Sequence, residues 1–244
     1  MVRCERQNDQ GVSAYSPRNT FGLVKNKPVE ITPPVPDPLH IRSLLGDAAW
    51  QRLKPAIRKR FGCDAQPGKA HLYRGKMKRV EASLVGLLMA HTARLIGSPM
   101  AWSRGVDVPC DVITFDDPDR KRGIVWERHY YFAPDKQQIA RTTKLVSETE
   151  GLLECFGKHF GMKLKLEEAD GALHFISTKF YLQLFGKRLS LPDFLSPGTL
   201  HVTHRDLGDN WFQFVLEVDH PVLGQLAFQD GYFKEEEMKN ATRA

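Results

Sequence analysis

Apolar positions change their period once along this chain. Before residue 97 they recur mainly every three or four residues, the spacing of helices that bury one face, and from residue 106 to 233 they alternate with polar ones, the spacing of strands. A first helix is predicted to begin at Asp37-Pro38 and run through Leu45, capped by the Asp37 side chain and stopped at Gly46. Asp47 caps a second, in which Trp50, Leu53, Ile57 and Phe61 form the buried stripe, Pro55 interrupts the helix and Gly62 ends it. Arg52, Lys54, Arg58, Lys59 and Arg60 make its solvated face. A strand over 72–79 carries Arg74, Lys76 and Lys78 on one side. A third helix from Ser83 to Gly97 places Leu84, Leu87, Leu88, His91 and Leu95 on one stripe, expected to face the core, which makes His91 a packed core histidine.

Nine further strands are predicted near 106–115, 123–132, 139–146, 162–167, 172–180, 183–191, 200–206, 211–218 and 225–233. Asp117-Pro118-Asp119, Ala133-Pro134-Asp135, Asp170-Gly171 and Gly208-Asp209-Asn210 supply tight turns, so neighbouring strands run antiparallel. A row of such strands leaves sticky edges unless the sheet closes on itself. The expected fold class is therefore α+β: a mainly antiparallel barrel or half-barrel of eight to nine strands with N-terminal helices packed on it. Residues 1–36 are expected to be a flexible proline-rich leader, 37–235 one barrel-like domain and 236–244 a short polar tail.

The alternation also places polar groups where core is due. Ile124, Trp126, Arg128, Tyr130 and Phe132 share one strand face, and Leu200, Val202 and His204 share another. A guanidinium among large apolar neighbours needs a carboxylate, a polar pocket or an anionic ligand. Arg128 either pairs with an inward acid such as Glu154 or clamps the anionic end of a ligand whose apolar part meets Trp126 and Tyr130. His204, His174, Glu154 and His220 are the candidate acid–base groups. Lys144 is the one strand lysine noted for Schiff-base chemistry, although solvent exposure is the commoner state of such a residue. His201-x-x-His204 has a metal-ligand look, but the two rings point to opposite faces of a strand, and no metal site is expected.

Nothing in the sequence names a reaction. It contains no Gly-x-Gly-x-x-Gly, no phosphate-binding Gly-Lys-Ser/Thr and no Gly-x-Ser-x-Gly, so no cofactor is expected. At 244 residues and 27.8 kDa, with 41% hydrophobic and 26% charged residues, the composition is that of an ordinary soluble protein. Its longest apolar stretch, 84–90, falls well short of the roughly 20 residues that span a bilayer. The N-terminus lacks an apolar signal region, and Cys4, Cys63, Cys110 and Cys155 lack metal or disulfide spacing, so a cytoplasmic protein with reduced thiols is expected. Charge is uneven: 18 Lys/Arg stand against 7 Asp/Glu in residues 1–104 and 17 against 22 in 105–244. The basic front could face acidic lipid or an acidic protein; nucleic acid is disfavoured because aromatic residues are not interleaved with the cations.

Trp126-x-Arg128, Glu154, the segment from Leu191-Pro192 through Pro197-Gly198, His220-Pro221 with Gly224, and the closing Gly231 together resemble a bacterial family known as domain of unknown function 4166, over about 39–233. Where that family carries an aromatic residue before its last glycine, this chain reads Gln229-Asp230-Gly231-Tyr232. The resemblance implies a small-molecule or accessory role, a shared ligand contact at Gln229, and members that follow a saccharopine-dehydrogenase-like dinucleotide-binding domain, which is not expected in this chain. The leading reading is a domain binding a small, partly apolar, anionic ligand. The alternatives are an isomerase, cyclase or decarboxylase using the same cavity, and a basic interaction module or accessory domain of a dinucleotide-dependent oxidoreductase.

Overall fold

The computed structural model describes residues 39–63, 70–97, 99–192 and 195–236. The expected leader and nearly all of the expected tail lie outside them. Three short helices come first: α1 (Ile41–Leu45), α2 (Asp47–Arg52) and α3 (Pro55–Arg58), the last running into a π-helical turn (Lys59–Cys63). Then come β1 (His71–Ala82), α4 (Leu84–Ala93), a 3-10 turn (Arg94–Ile96), β2 (Gly105–Asp116), β3 (Ile124–Ala133), β4 (Lys136–Ser147) and β5 (Gly151–Phe156). The remaining strands are β6 (Phe160–Ala169), β7 (Ala172–Leu184), β8 (Lys187–Ser190), β9 (Thr199–Gly208), β10 (Trp211–His220) and β11 (Gly224–Glu236).

Every strand pairing is antiparallel, and β1 pairs with β11 while β6 pairs with β7, so the sheet closes. The barrel has ten strands, with β8 hydrogen-bonded to β7 alone and left outside. This corrects the expected eight or nine in two places. The strand missing from the pattern is β5, whose sequence Gly-Leu-Leu-Glu-Cys-Phe buries Leu153 and Cys155 on one face as well as Leu152 and Glu154 on the other. Burial on both faces erases the alternation. The strand predicted over 183–191 shortens to β8 because Phe185 and Gly186, both at positive φ, reverse the chain.

One end of the barrel is plugged by the N-terminal helices. Trp50, Leu53, Ile57 and Phe61 are buried as their spacing predicts, although α2 and α3 are separate helices. Phe61 reaches into the barrel against Trp126, Phe175 and His204. Arg60 departs from the expected solvated face: it is buried, its guanidinium carbon 3.6 Å from the centre of the Phe212 ring.

Helix α4 lies at the other end and is rotated from the expected orientation. Ser83 caps it by accepting from Gly86 N at 3.0 Å. Gly86 and Ala90 face inward, whereas Leu84, Leu88, His91 and Leu95 face solvent, so His91 is not a core histidine. The reason is contact distance: a Cβ on Gly86 would lie 1.9 Å from the Leu226 carbonyl oxygen, so only a glycine lets the helix backbone rest on β11.

Candidate functional site

Between α4 and the aromatic plug the barrel encloses a cavity of ≈ 370 Å³. Met89 and Ala93 of α4, Met162, Phe180, Val202 and Phe214 are among its apolar lining. A small set of polar groups shares it: Trp126 and Arg128 of β3, Thr142 and Lys144 of β4, Glu154 of β5 and His204 of β9. Register brings them together. Trp126 stands opposite Thr142, Arg128 opposite Ala140, and Lys144 between Ile124 and Glu154.

Arg128 is buried, and its Nη2 donates to the Pro99 carbonyl at 3.0 Å. Its Nε finds no partner among the described residues, and neither do Trp126 Nε1 and His204 Nδ1. Glu154, the acid offered as one of two partners for Arg128, accepts from Lys144 Nζ at 3.0 Å. Burial alone pushes the Glu154 carboxyl up, but the charges of Lys144 and Arg128 overcome it and hold the group below its ordinary range. Burial lowers Lys144, and Glu154 only partly restores it. With the pair neutralised internally, the guanidinium leaves the cavity one excess positive charge.

Lys144 is the residue sequence reasoning valued least. It is buried, with its Nζ 5.0 Å from the centre of the Trp126 ring and 5.5 Å from that of Phe175, rather than solvent-exposed. A signal existed, since Gln138, Ala140, Thr142 and Lys144 occupy one face of β4 with the parity that Ala140 fixes as inward. Gln138, also missed, accepts from Trp102 N at 3.0 Å and donates to Ser103 Oγ at 2.6 Å, tethering the segment that presents Pro99 to Arg128.

His204 sits in a box of Phe61, Trp126, Phe175, Phe212 and Phe214, its ring centre 5.0 to 6.1 Å from theirs. Burial, reinforced by Arg60, Lys144 and Arg128, holds it well below the usual imidazole range, so it is neutral at pH 7. Such a ring can accept a proton or hydrogen bond at Nδ1 but carries no charge of its own.

Four expected site residues lie elsewhere. His220 caps the turn after β10, its Nδ1 accepting from Val222 N and Leu223 N. His174 points outward from β7, its Nδ1 2.9 Å from His201 Nε2, because the inward parity of β7 belongs to Leu173 and Phe175. His201 and His204 do face opposite sides of β9. Tyr130 and Gln229 point inward but bond to each other at 2.9 Å, with Phe132 stacked on Tyr130, instead of lining the cavity. Of the exposed cations on β1, Arg74 pairs with Asp111 and Glu236 and Lys76 with Asp107. Cys110 and Cys155 are free and buried, and burial raises both thiols. No helix among the described residues is long and apolar enough to cross a membrane.

The sequence profile of the family described as "Domain of unknown function (DUF4166)" matches residues 53–233. The "Uncharacterized protein YndH" of Bacillus subtilis (strain 168) is 30% identical over 200 residues, spanning 78% of this chain and 95% of that protein. No solved structure matches.

Proposed function

Because the chain belongs to the family of domain of unknown function 4166, whose description carries no activity, function has to be read from the cavity, and we propose that the barrel binds a small, partly apolar ligand with an anionic head. The observation carrying this is Arg128: a buried guanidinium with a free Nε, beside a lysine already matched to its own carboxylate, at the polar patch of an otherwise apolar cavity. A buried guanidinium with no carboxylate in hydrogen-bond contact is costly, and a carboxylate or phosphate oxygen entering the cavity would satisfy its Nε. The volume lies within the range of ordinary small-molecule sites.

Thermal melts with dodecanoate and dodecanol test the reading, alongside native mass spectrometry of freshly purified protein for a retained molecule. The carboxylate should stabilise the wild type more than the alcohol does. Arg128→Met should weaken carboxylate binding by about tenfold or more, the loss of a charge-assisted hydrogen bond, and leave the alcohol unaffected. Equal responses to both probes, or none together with no retained molecule, would remove the anion clamp.

A second reading draws on Lys144. A primary amine and a carboxylate in contact inside an apolar cavity, with neutral His204 beside them, are the components of proton-transfer chemistry on a carbonyl compound, as an isomerase or decarboxylase would use. Sodium borohydride trapping of a carbonyl probe on Lys144, followed by mass spectrometry, separates this from simple binding. The basic-module reading has less support, since Arg74 and Lys76 already have carboxylate partners.

A further inference from the structure

We propose that the α4 end of the barrel docks on the surface of an anionic lipid bilayer. A chain of contacts defines the rim at this end. Ser83 N donates to Leu226 O at 3.0 Å, joining α4 to the start of β11. Gly97, just after the 3-10 turn, packs so closely on Gly157 that a Cβ would meet its backbone nitrogen at 2.3 Å. Gln183 N donates to His159 O at 2.6 Å and Leu191 N to Phe180 O at 2.8 Å, while Gly198 lies against the Asp219 carbonyl. The rim thus runs from α4 and the start of β2 through the β3–β4 turn, the β5–β6 turn, the β7–β8 hairpin and residues 195–198 before β9 to the β10–β11 turn and back.

Large apolar side chains stand outward along it. Leu84 and Leu88 on the solvent face of α4 and Leu95 in the 3-10 turn after it are 79%, 65% and 89% exposed, Val222 is 83% exposed, and Phe185 is fully exposed. At the plugged end the large apolar residues exposed among those described are Leu44, Leu207 and Trp211, each less than half exposed. Phe185 is the most telling. With Gly186 it forms a two-residue hairpin turn in which both φ angles are positive, a position that favours asparagine, and a bulky aromatic there gives the fold no packing in return. Contiguous exposed apolar surface marks an interaction site.

Charge identifies the partner. Arg94, Arg104, Lys136, Lys158 and Lys187 are exposed at this end, and of the exposed carboxylates described there Glu81 is paired with Arg79 and Asp107 with Lys76, which leaves Asp135 and Asp219 against five cations. Protruding leucines and an aromatic tip with cations between them, on a rigid scaffold, match the apolar boundary and anionic headgroups of a bilayer face. The surface borders the cavity without depending on what the cavity holds: α4 turns Met89 and Ala93 toward it and Leu84 and Leu88 away.

Co-sedimentation of the full chain with phosphatidylcholine vesicles, with and without phosphatidylserine, is the test. Binding should require phosphatidylserine and weaken with added sodium chloride. Phe185→Asn, which suits the turn and should leave the melting temperature unchanged or raised, should reduce vesicle partitioning by about tenfold. Lys158→Glu with Lys187→Glu should reduce it by at least roughly fivefold for each cation removed. Absence of vesicle binding by a folded wild type overturns the proposal. So does a dimer in sedimentation velocity that Leu88→Glu disperses while vesicles still do not bind, since the face would then join two copies of this chain. Vesicle binding that survives Phe185→Asn and the charge reversals overturns it as well, and none of these outcomes bears on carboxylate binding at Arg128.

Discussion

Lys144 Nζ and Glu154 Oε1 are 3.0 Å apart on neighbouring strands, with both side chains sealed from bulk water. Removing one member strands the other charge in an apolar cavity. Glu154→Leu should therefore lower unfolding free energy by about 3–5 kcal/mol, whereas Lys144→Met with Glu154→Leu should lie near wild type. Urea denaturation of Glu154→Leu, Lys144→Met, the double variant and the parent gives the coupling. Additive losses would mean that the two groups do not depend on each other.

The same interior makes the protein acid-labile from mildly acidic pH onward. His204 is held well below its ordinary value of 6.5 by burial, then by Arg60, Lys144, Arg128 and His174. In the unfolded chain it takes up a proton that the folded state refuses, so each unit of acidification below 6.5 removes up to about 1.4 kcal/mol until the folded value is passed. Glu154 acts in the same sense lower down. Its folded value is depressed below 4.5, so its contribution is present above 4.5 and lost as pH falls through the folded value. Unfolding free energy measured from pH 7 to 4 should fall throughout, and His204→Leu should flatten the limb below 6.5. A residual slope remains from His174, which burial and His201 shift the same way. An unchanged limb would show that His204 titrates freely.

How far the barrel was legible depended on one-sided burial. Phe212, Phe214, Leu216 and Val218 alternate with half-exposed Gln213, Val215 and Glu217, and β10 follows that pattern. Arg128 and His204 were placed inward by parity alone, and both line the cavity. Where elements bury two faces or none, the pattern fails. β5 hid because Leu152 to Cys155 are all buried. On α4 the rule inverted, since backbone contact at Gly86 outweighs the leucine stripe. Local spacing offered Glu154 as one partner for Arg128, and the cation it hydrogen-bonds is the cross-strand Lys144, a pairing that register fixes and local spacing does not.

Tyr130 and Gln229 offer a control for ligand claims. Tyr130→Phe leaves the Gln229 side-chain oxygen buried without its donor, at a cost of about 1–3 kcal/mol. Tyr130→Phe with Gln229→Met should recover part of that loss. Neither change should alter carboxylate binding, because neither side chain lines the cavity. Calorimetric titration with dodecanoate decides it, and a large affinity loss in Tyr130→Phe would move the ligand to the other side of the barrel.

Gly86 reverses an ordinary expectation. Glycine inside a helix normally costs about 1 kcal/mol relative to alanine, so Gly86→Ala at a free surface would stabilise α4. Here the added Cβ would meet the Leu226 carbonyl at 1.9 Å, and α4 must lift from β11 or the strand must bend away. Overpacking of this kind costs about 1–3 kcal/mol. Amide hydrogen exchange should show faster opening of α4 and of Leu226–Ala227, with the paired centre of β3 and β4 unaffected. Because Met89 and Ala93 move with the helix, a bound ligand should also dissociate faster. A Gly86→Ala protein more stable than its parent, with unchanged exchange in α4, would show that the helix does not rest on β11 in solution.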